Sequence, residues 1–238
     1  MNTTGHRVLI TGGSKGIGLA LARLFHSAGN TVILVGRNEA ALAAAQRSLP
    51  GAVVAVADIT RADDRARLVA QFSDITVLVN NAGVQVNGDL AQTAPADIEN
   101  EMALNLVAPV LLTRAFLPLL QTRAQAAVVN VSSALAFVPK QSASVYCATK
   151  AALHSFTRSL RWQLEGSSVR VFDLIPPLVD TGMTAGRDSG KITPDELARE
   201  FWAGFQADRF EIAVGKAKAL RLLSRWLPFL AERIVRRG

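Results

Sequence analysis

The chain has 238 residues, half of them hydrophobic and 19% charged, which suits a folded α/β unit and excludes a disordered or low-complexity chain. Of the net charge of +7, the tail 216–238 carries +6 (seven basic residues against Glu232), and residues 1–215 carry +1 (nineteen basic, eighteen acidic). The basicity therefore belongs to the tail and does not direct the main body toward nucleic acid.

A lone cysteine, Cys147, excludes an intramolecular disulfide and fits a reducing, cytoplasmic setting. The opening "MNTTGHRVLITGG" enters a strand too soon for a signal peptide. No apolar run is read as approaching the roughly 18 residues of a membrane span.

In chain order, "RVLIT" (7–11) reads as a strand and "TGGSKGIG" (11–18) leads into a helix at 17–28. Strands at 31–35, 52–56 and 76–80 then alternate with helices at 38–48 and 61–72. A long helical stretch at 95–122 contains Pro109 and Pro118, expected to bend or end it. "AVVNVS" (127–132), a helix at 144–165 and "VRVFDLI" (169–175) follow. The irregular segment 176–193 reads as a substrate lid, ahead of a helix at 194–207 and a strand at 210–214.

Val- and Ile-rich runs suit strands covered on both faces. Their alternation with helices predicts a single-domain α/β fold, a doubly wound parallel sheet of Rossmann type with about seven strands. Residues 1–215 are expected to form this one domain, with a lid at about 176–207. Residues 216–238 are expected to form a basic amphipathic helix kinked at Pro228.

The glycine loop sits where a first strand meets a first helix. Gly12, Gly16 and Gly18 permit a tight turn and close approach of a pyrophosphate to the helix N-terminus. After the second strand comes "VGRN", with no carboxylate for a ribose 2′-hydroxyl. Arg37, with Lys15 within reach, suits a 2′-phosphate instead, so the expected cofactor is NADP. Asp58 faces the adenine edge or caps the following helix.

Tyr146 and Lys150 lie one helical turn apart, on one face. "NNAG" (80–83) ends the fourth strand, Asn105 lies in the long helical stretch, and "VNVSS" (129–133) places Ser133 thirteen residues before Tyr146. With "TGGSKGIG" and "YCATK", these motifs resemble the short-chain dehydrogenase/reductase family over residues 6–181.

The resemblance implies a tetrad of Asn105, Ser133, Tyr146 and Lys150 and a homo-oligomer paired through the helices at 95–122 and 144–165. It implies cofactor contacts from Gly12, Ser14, Lys15, Gly16, Ile17 and Gly18 in the first loop and from Arg37, Asp58 and Ile59 after the second and third strands. Asn81, Ala82, Gly83, Tyr146, Lys150, Pro176, Val179 and Thr181 complete that set. No metal site is expected.

The chemistry is consistent with the motif. A carbonyl oxygen gaining charge needs a proton, Tyr146 can supply it, and a nearby ammonium favours the phenolate left behind. Ser133 can hydrogen-bond the oxygen, and Asn105 is expected to hold a water that relays protons to Lys150.

One departure is Pro177 in "IPPLVDTGM", where the family often has glycine. It removes a backbone N–H and fixes φ, which bears on one cofactor contact and on the lid. This stretch and "VGKAKAL" are also similar to a bacterial subgroup named after teichoic-acid D-alanylation operons.

Ala134, Leu135, Phe137, Val84, Val86, Leu178 and Met183 are expected to line an apolar pocket. Lys140 and Arg187 either meet an acidic group or lie in solvent. The tail repeats Leu220, Leu223, Leu227, Leu230 and Ile234 at helical spacing, with arginines largely elsewhere. It docks on its own domain or a sister subunit, on an anionic membrane, or on an acidic partner.

The whole predicts an NADP-dependent oxidoreductase that interconverts a small-molecule carbonyl and alcohol of apolar character. The competing reading is a non-catalytic NADP-binding protein or membrane-associated scaffold on the same fold.

Overall fold

Strands that carry apolar residues on both sides need cover on both faces, and the chain supplies it. The structure is a computed structural model that describes residues 1–186 and 190–236. Seven strands, β1 (Arg7–Thr11), β2 (Thr31–Gly36), β3 (Val53–Val56), β4 (Val77–Asn80), β5 (Ala126–Val131), β6 (Val169–Ile175) and β7 (Glu211–Ala213), form one parallel sheet. Their order is β3-β2-β1-β4-β5-β6-β7, so the winding reverses between β1 and β4, where such sheets open a crevice at their carboxyl ends.

Alternate residues serve opposite faces. Val8 and Ile10 of β1, with Val77 and Val79 of β4, join α1 (Gly16–Ser27), α2 (Glu39–Arg47) and α7 (Pro194–Gln206) in one core. Leu9 and Leu78 join the other, under α3 (Ala62–Gln71), α5 (Ala108–Gln121) and α6 (Ser144–Gln163). Phe25, Phe172, Phe201 and Phe205 are fully buried in the first core, and Phe25 meets Phe205 edge-on at 5.6 Å. Full burial of such a side chain contributes roughly 1.5–3 kcal/mol.

The prolines of the long helical stretch do not end it. α4 (Pro95–Met102) passes through a π-turn, Ala103–Val107, into α5. Pro109 has no N–H to return to the Asn105 carbonyl four residues earlier, and the helix widens just before it, with Ala108 N–H bonding the Ala103 carbonyl. Pro118 is carried inside α5.

Contrary to the sequence expectation, this continuous stretch, Pro95–Gln121, is long and apolar enough by composition to span a membrane. Here Leu104, Leu112, Phe116 and Leu120 are buried against the sheet.

Pro228 does more than kink the tail. It starts a second helix, so α8 (Lys216–Trp226) and α9 (Pro228–Val235) pack on each other about a break at Leu227.

Candidate active site at the carboxyl ends of the strands

The glycine loop after β1 is a cradle that only glycine fits. A Cβ at Gly18 would lie 2.3 Å from the Gly12 carbonyl oxygen, and one at Gly12 2.9 Å from Asn81 Nδ2. Gly12 and Gly16 have φ of 64° and 56°.

Thr11, which the sequence reading passed over, welds this loop to the β4 end. Its hydroxyl donates to the Val79 carbonyl and accepts the N–H groups of Asn81 and Ala82 at 2.9 and 3.1 Å. Asn81 Nδ2 donates back to the Thr11 carbonyl at 2.9 Å. The loop therefore offers its backbone to a pyrophosphate at the start of α1.

Arg37 follows β2 with its guanidinium 3.7 Å from the Asp58 carboxylate and its side chain 61% exposed. Asp58 caps a turn, not the helix. Its Oδ1 accepts the N–H and hydroxyl of Thr60 at 3.0 and 2.6 Å, while Arg61 holds the helix N-cap. Burial pushes the Asp58 carboxyl up, but the Thr60 hydrogen bonds and the Arg37 charge leave it below its usual value. Ile59 is buried beside it.

Ser133, Tyr146 and Lys150 meet on one wall of a cleft of about 940 Å³, opposite Gly12, Ser14, Lys15, Gly16 and Ile17. The Ser133 hydroxyl oxygen accepts the Leu135 N–H at 3.1 Å, which leaves its proton for another acceptor. Lys150 is 4% exposed, donates to the Val131 carbonyl at 2.8 Å and stands 5.7 Å from the centre of the Tyr146 ring. Burial brings its pKa down to about 8, against the opposing pull of Asp173 and Glu101.

Asn105 is fully buried behind this wall and does not line the cleft. Its amide accepts the Val84 N–H at 2.9 Å and donates to the Val84 carbonyl at 2.8 Å and to Thr149 at 3.3 Å. A Cβ at Gly83 would lie 3.0 Å from Asn105 Oδ1 and 3.7 Å from Lys150 Nζ, so Gly83 is the gap through which the two approach. The Asn105 amide is thus engaged by Val84 and Thr149 and is not turned to the cleft.

Two carboxylates missed in the sequence complete the electrostatics. Glu101, one turn before Asn105, is 1% exposed and accepts the Val86 N–H at 3.0 Å. Burial pushes its carboxyl up, moderated by Val86 and Lys150. Asp173 of β6 is fully buried and accepts Ser132 Oγ and pairs with His154 Nδ1, each at 2.5 Å. Neither acid belongs to a contiguous motif, so no local signal marks it.

The segment after β6 starts from Pro176, whose carbonyl accepts the Ala134 N–H at 2.9 Å. Val179 pairs with Ile192, and Thr181 packs against Gly16, where a glycine Cβ would meet its methyl at 3.1 Å. Pro177 lines the cleft near the start of the tail, 3.8 Å from the position of a Cβ on Gly215.

Of the expected pocket residues, Ala134, Leu135, Leu178 and Met183 line the cleft, as does Lys140. Val84 packs instead in the core under α5 and α6, Val86 turns its N–H to Glu101, and Phe137 packs with Ala134, Ile175 and Ala217. Gly18, Arg37, Asp58 and Ile59 lie outside the cleft wall, and Arg187 is outside the described residues. The roof comes from the tail: Ala217, Leu220 and Leu223 of α8 and Ile234 and Val235 of α9.

A glycine cradle at the winding reversal, facing a serine, a tyrosine and a buried lysine, defines the class: an α/β oxidoreductase built to hold a nicotinamide dinucleotide. The chain belongs to the short-chain dehydrogenase/reductase family, with residues 6–191 matching the model described as short chain dehydrogenase.

It is 41% identical over 233 residues to the Bacillus subtilis (strain 168) uncharacterized oxidoreductase DltE, covering 93% of this chain and 92% of that protein. A Burkholderia cenocepacia J2315 short chain dehydrogenase solved with NADP superposes with a TM-score of 0.90 at 27% identity, over 99% of both chains. A Brucella melitensis 3-ketoacyl-(acyl-carrier-protein) reductase solved with NADH gives 0.79 at 26%, over 87% of this chain and 94% of that one.

Proposed function

We propose that this protein is an NADP-dependent oxidoreductase that interconverts an apolar ketone or aldehyde with its alcohol. The observation that carries the reading is the buried Lys150 ammonium beside Tyr146, in the cleft that also holds Ser133 and the glycine loop. The cradle left by Gly12, Gly16 and Gly18 fits a dinucleotide pyrophosphate, with Arg37 and Lys15 toward a 2′-phosphate.

This cradle would hold a nicotinamide dinucleotide, which in its reduced form would supply a hydride to a carbonyl carbon. Tyr146 gives its hydroxyl proton to the carbonyl oxygen, and the Lys150 ammonium stabilises the phenolate that results. Ser133 donates its free hydroxyl proton as a hydrogen bond to the same oxygen. Asn105 positions Gly83 and Val84 through its amide, and its backbone carbonyl holds the water that returns a proton toward Lys150. Thr181, Pro176 and Val179 close the nicotinamide side.

The apolar roof supports an apolar substrate. The lone buried Cys147 supports a reducing, cytoplasmic location. Trp162, exposed on α6, and Val107, exposed just before α5, support pairing of two copies through those helices.

The test is a titration with NADPH and NADH, followed by carbonyl turnover. Asp58 already shares the Arg37 charge, so Arg37→Ala is expected to cost about tenfold in NADPH affinity, the low end for hydrogen bonds to charged groups, and to leave NADH unchanged. Tyr146→Phe still binds NADPH and abolishes turnover. Equal NADH and NADPH binding refutes the NADP assignment. Turnover that survives Tyr146→Phe refutes the mechanism.

A further inference from the structure

The tail has two apolar sides. Leu220, Leu223 and Val235 turn inward over the cleft. The outer side nonetheless exposes Leu222, Trp226, Leu227, Phe229, Leu230 and Ile234, with Trp226 73% and Phe229 86% exposed. Half of the twelve large exposed hydrophobics among the described residues lie on this one hairpin, so the patch is concentrated and not a scatter of single side chains.

Docking on its own domain accounts only for the inner side. The end of α9 is held to the body by Gln141 N–H on the Arg236 carbonyl at 3.1 Å, so the outer side keeps its orientation.

Charge selects among occupants. Lys218 and Arg221 are paired with Glu200 and Glu211 of the body. Arg225, Arg233 and Arg236 are exposed beside the apolar patch, with Glu232 the tail's single acid. A two-fold contact with a second copy would set these arginines against their own counterparts, a like-charge juxtaposition. An interfacial surface that accepts Trp and Phe and offers negative headgroups satisfies both features.

We propose that the α8–α9 hairpin seats this protein on an anionic lipid surface, with the cleft mouth beside the lipid. Ile234 makes the connection. It lines the cleft and is 59% exposed within the patch, so the rim of the cleft and the docking face are continuous. The substrate class that follows, a lipophilic carbonyl or alcohol drawn from that surface, rests on the oxidoreductase reading; the docking does not.

The full chain is floated with phosphatidylcholine vesicles and with vesicles that also contain phosphatidylglycerol. Sedimentation and NADPH titration are run on the same samples. The expected result is flotation with the anionic vesicles only, reversed at high salt. Trp226→Ser/Phe229→Ser and Arg225→Glu/Arg233→Glu should each lower it by about tenfold or more with NADPH affinity unchanged. The substituted side chains are exposed, so the fold is retained.

Four results overturn the docking: no flotation, equal flotation on neutral vesicles, unchanged flotation of both variants, or a wild-type dimer that Trp226→Ser/Phe229→Ser dissolves. Flotation that persists in a protein unable to bind NADPH or NADH instead removes the oxidoreductase reading and leaves the docking standing.

Discussion

Replacing Lys150 by methionine keeps the length of the side chain and removes its charge. Nζ stands 5.7 Å from the centre of the Tyr146 ring; a phenolate charge placed at that centre would attract the ammonium by about 3 kcal/mol at an effective dielectric of about 20. Losing that attraction where charge develops lowers kcat/KM by at least about 100-fold.

The same lysine leaves a signature in stability. Burial puts its folded pKa at about 8, against an ordinary 10.5. Between those values the unfolded chain holds a proton that the folded lysine has released. The wild type therefore gains stability as pH rises through that window, by about 2 kcal/mol between about pH 8 and about pH 10. Lys150→Met gains none of it.

Urea unfolding of the two proteins without cofactor, at both pH values, measures the difference, and initial rates measure the first effect. Parallel stability profiles would show that Lys150 is not held in the buried, destabilised charge state described. A rate within tenfold of wild type would show that its charge does not act on Tyr146.

Gly18→Ala drives a methyl to 2.3 Å from the Gly12 carbonyl oxygen, a backbone atom that cannot swing away. It should cost about 1–3 kcal/mol in unfolding free energy and weaken NADPH binding; wild-type values for both would mean the loop is not closely packed there. Asp173→Asn removes an anion that sustains the Lys150 proton. The alkaline limb of the rate profile should move to lower pH, and an unmoved limb would restrict Asp173 to holding Ser132 and His154. Thr11→Val deletes the acceptor for Asn81 and Ala82 N–H. NADPH affinity should fall with little change in kcat at saturating cofactor, and a change confined to kcat would contradict that positioning role.

Where an element's chemistry is local, it was legible in the chain. All seven strands stand within a residue or two of their expected places, because doubly covered parallel strands are written as near-continuous apolar runs. Tyr146 and Lys150 share a helix face by spacing alone, and the glycine loop is recognisable by its position between β1 and α1.

Long-range partnerships were not legible. Asp173 acts on Ser132 from 41 positions away and on His154 from 19, and it carries no motif. Asn105 announced itself by type, but only the fold shows its amide turned to Val84 and its place in a π-turn ahead of Pro109. The tail displayed its amphipathic repeat in sequence. That one side roofs the cleft while Trp226 and Phe229 stay bare was decided by tertiary packing. Periodicity states that a helix has an apolar face, and only the body it folds against determines how much of that face is covered.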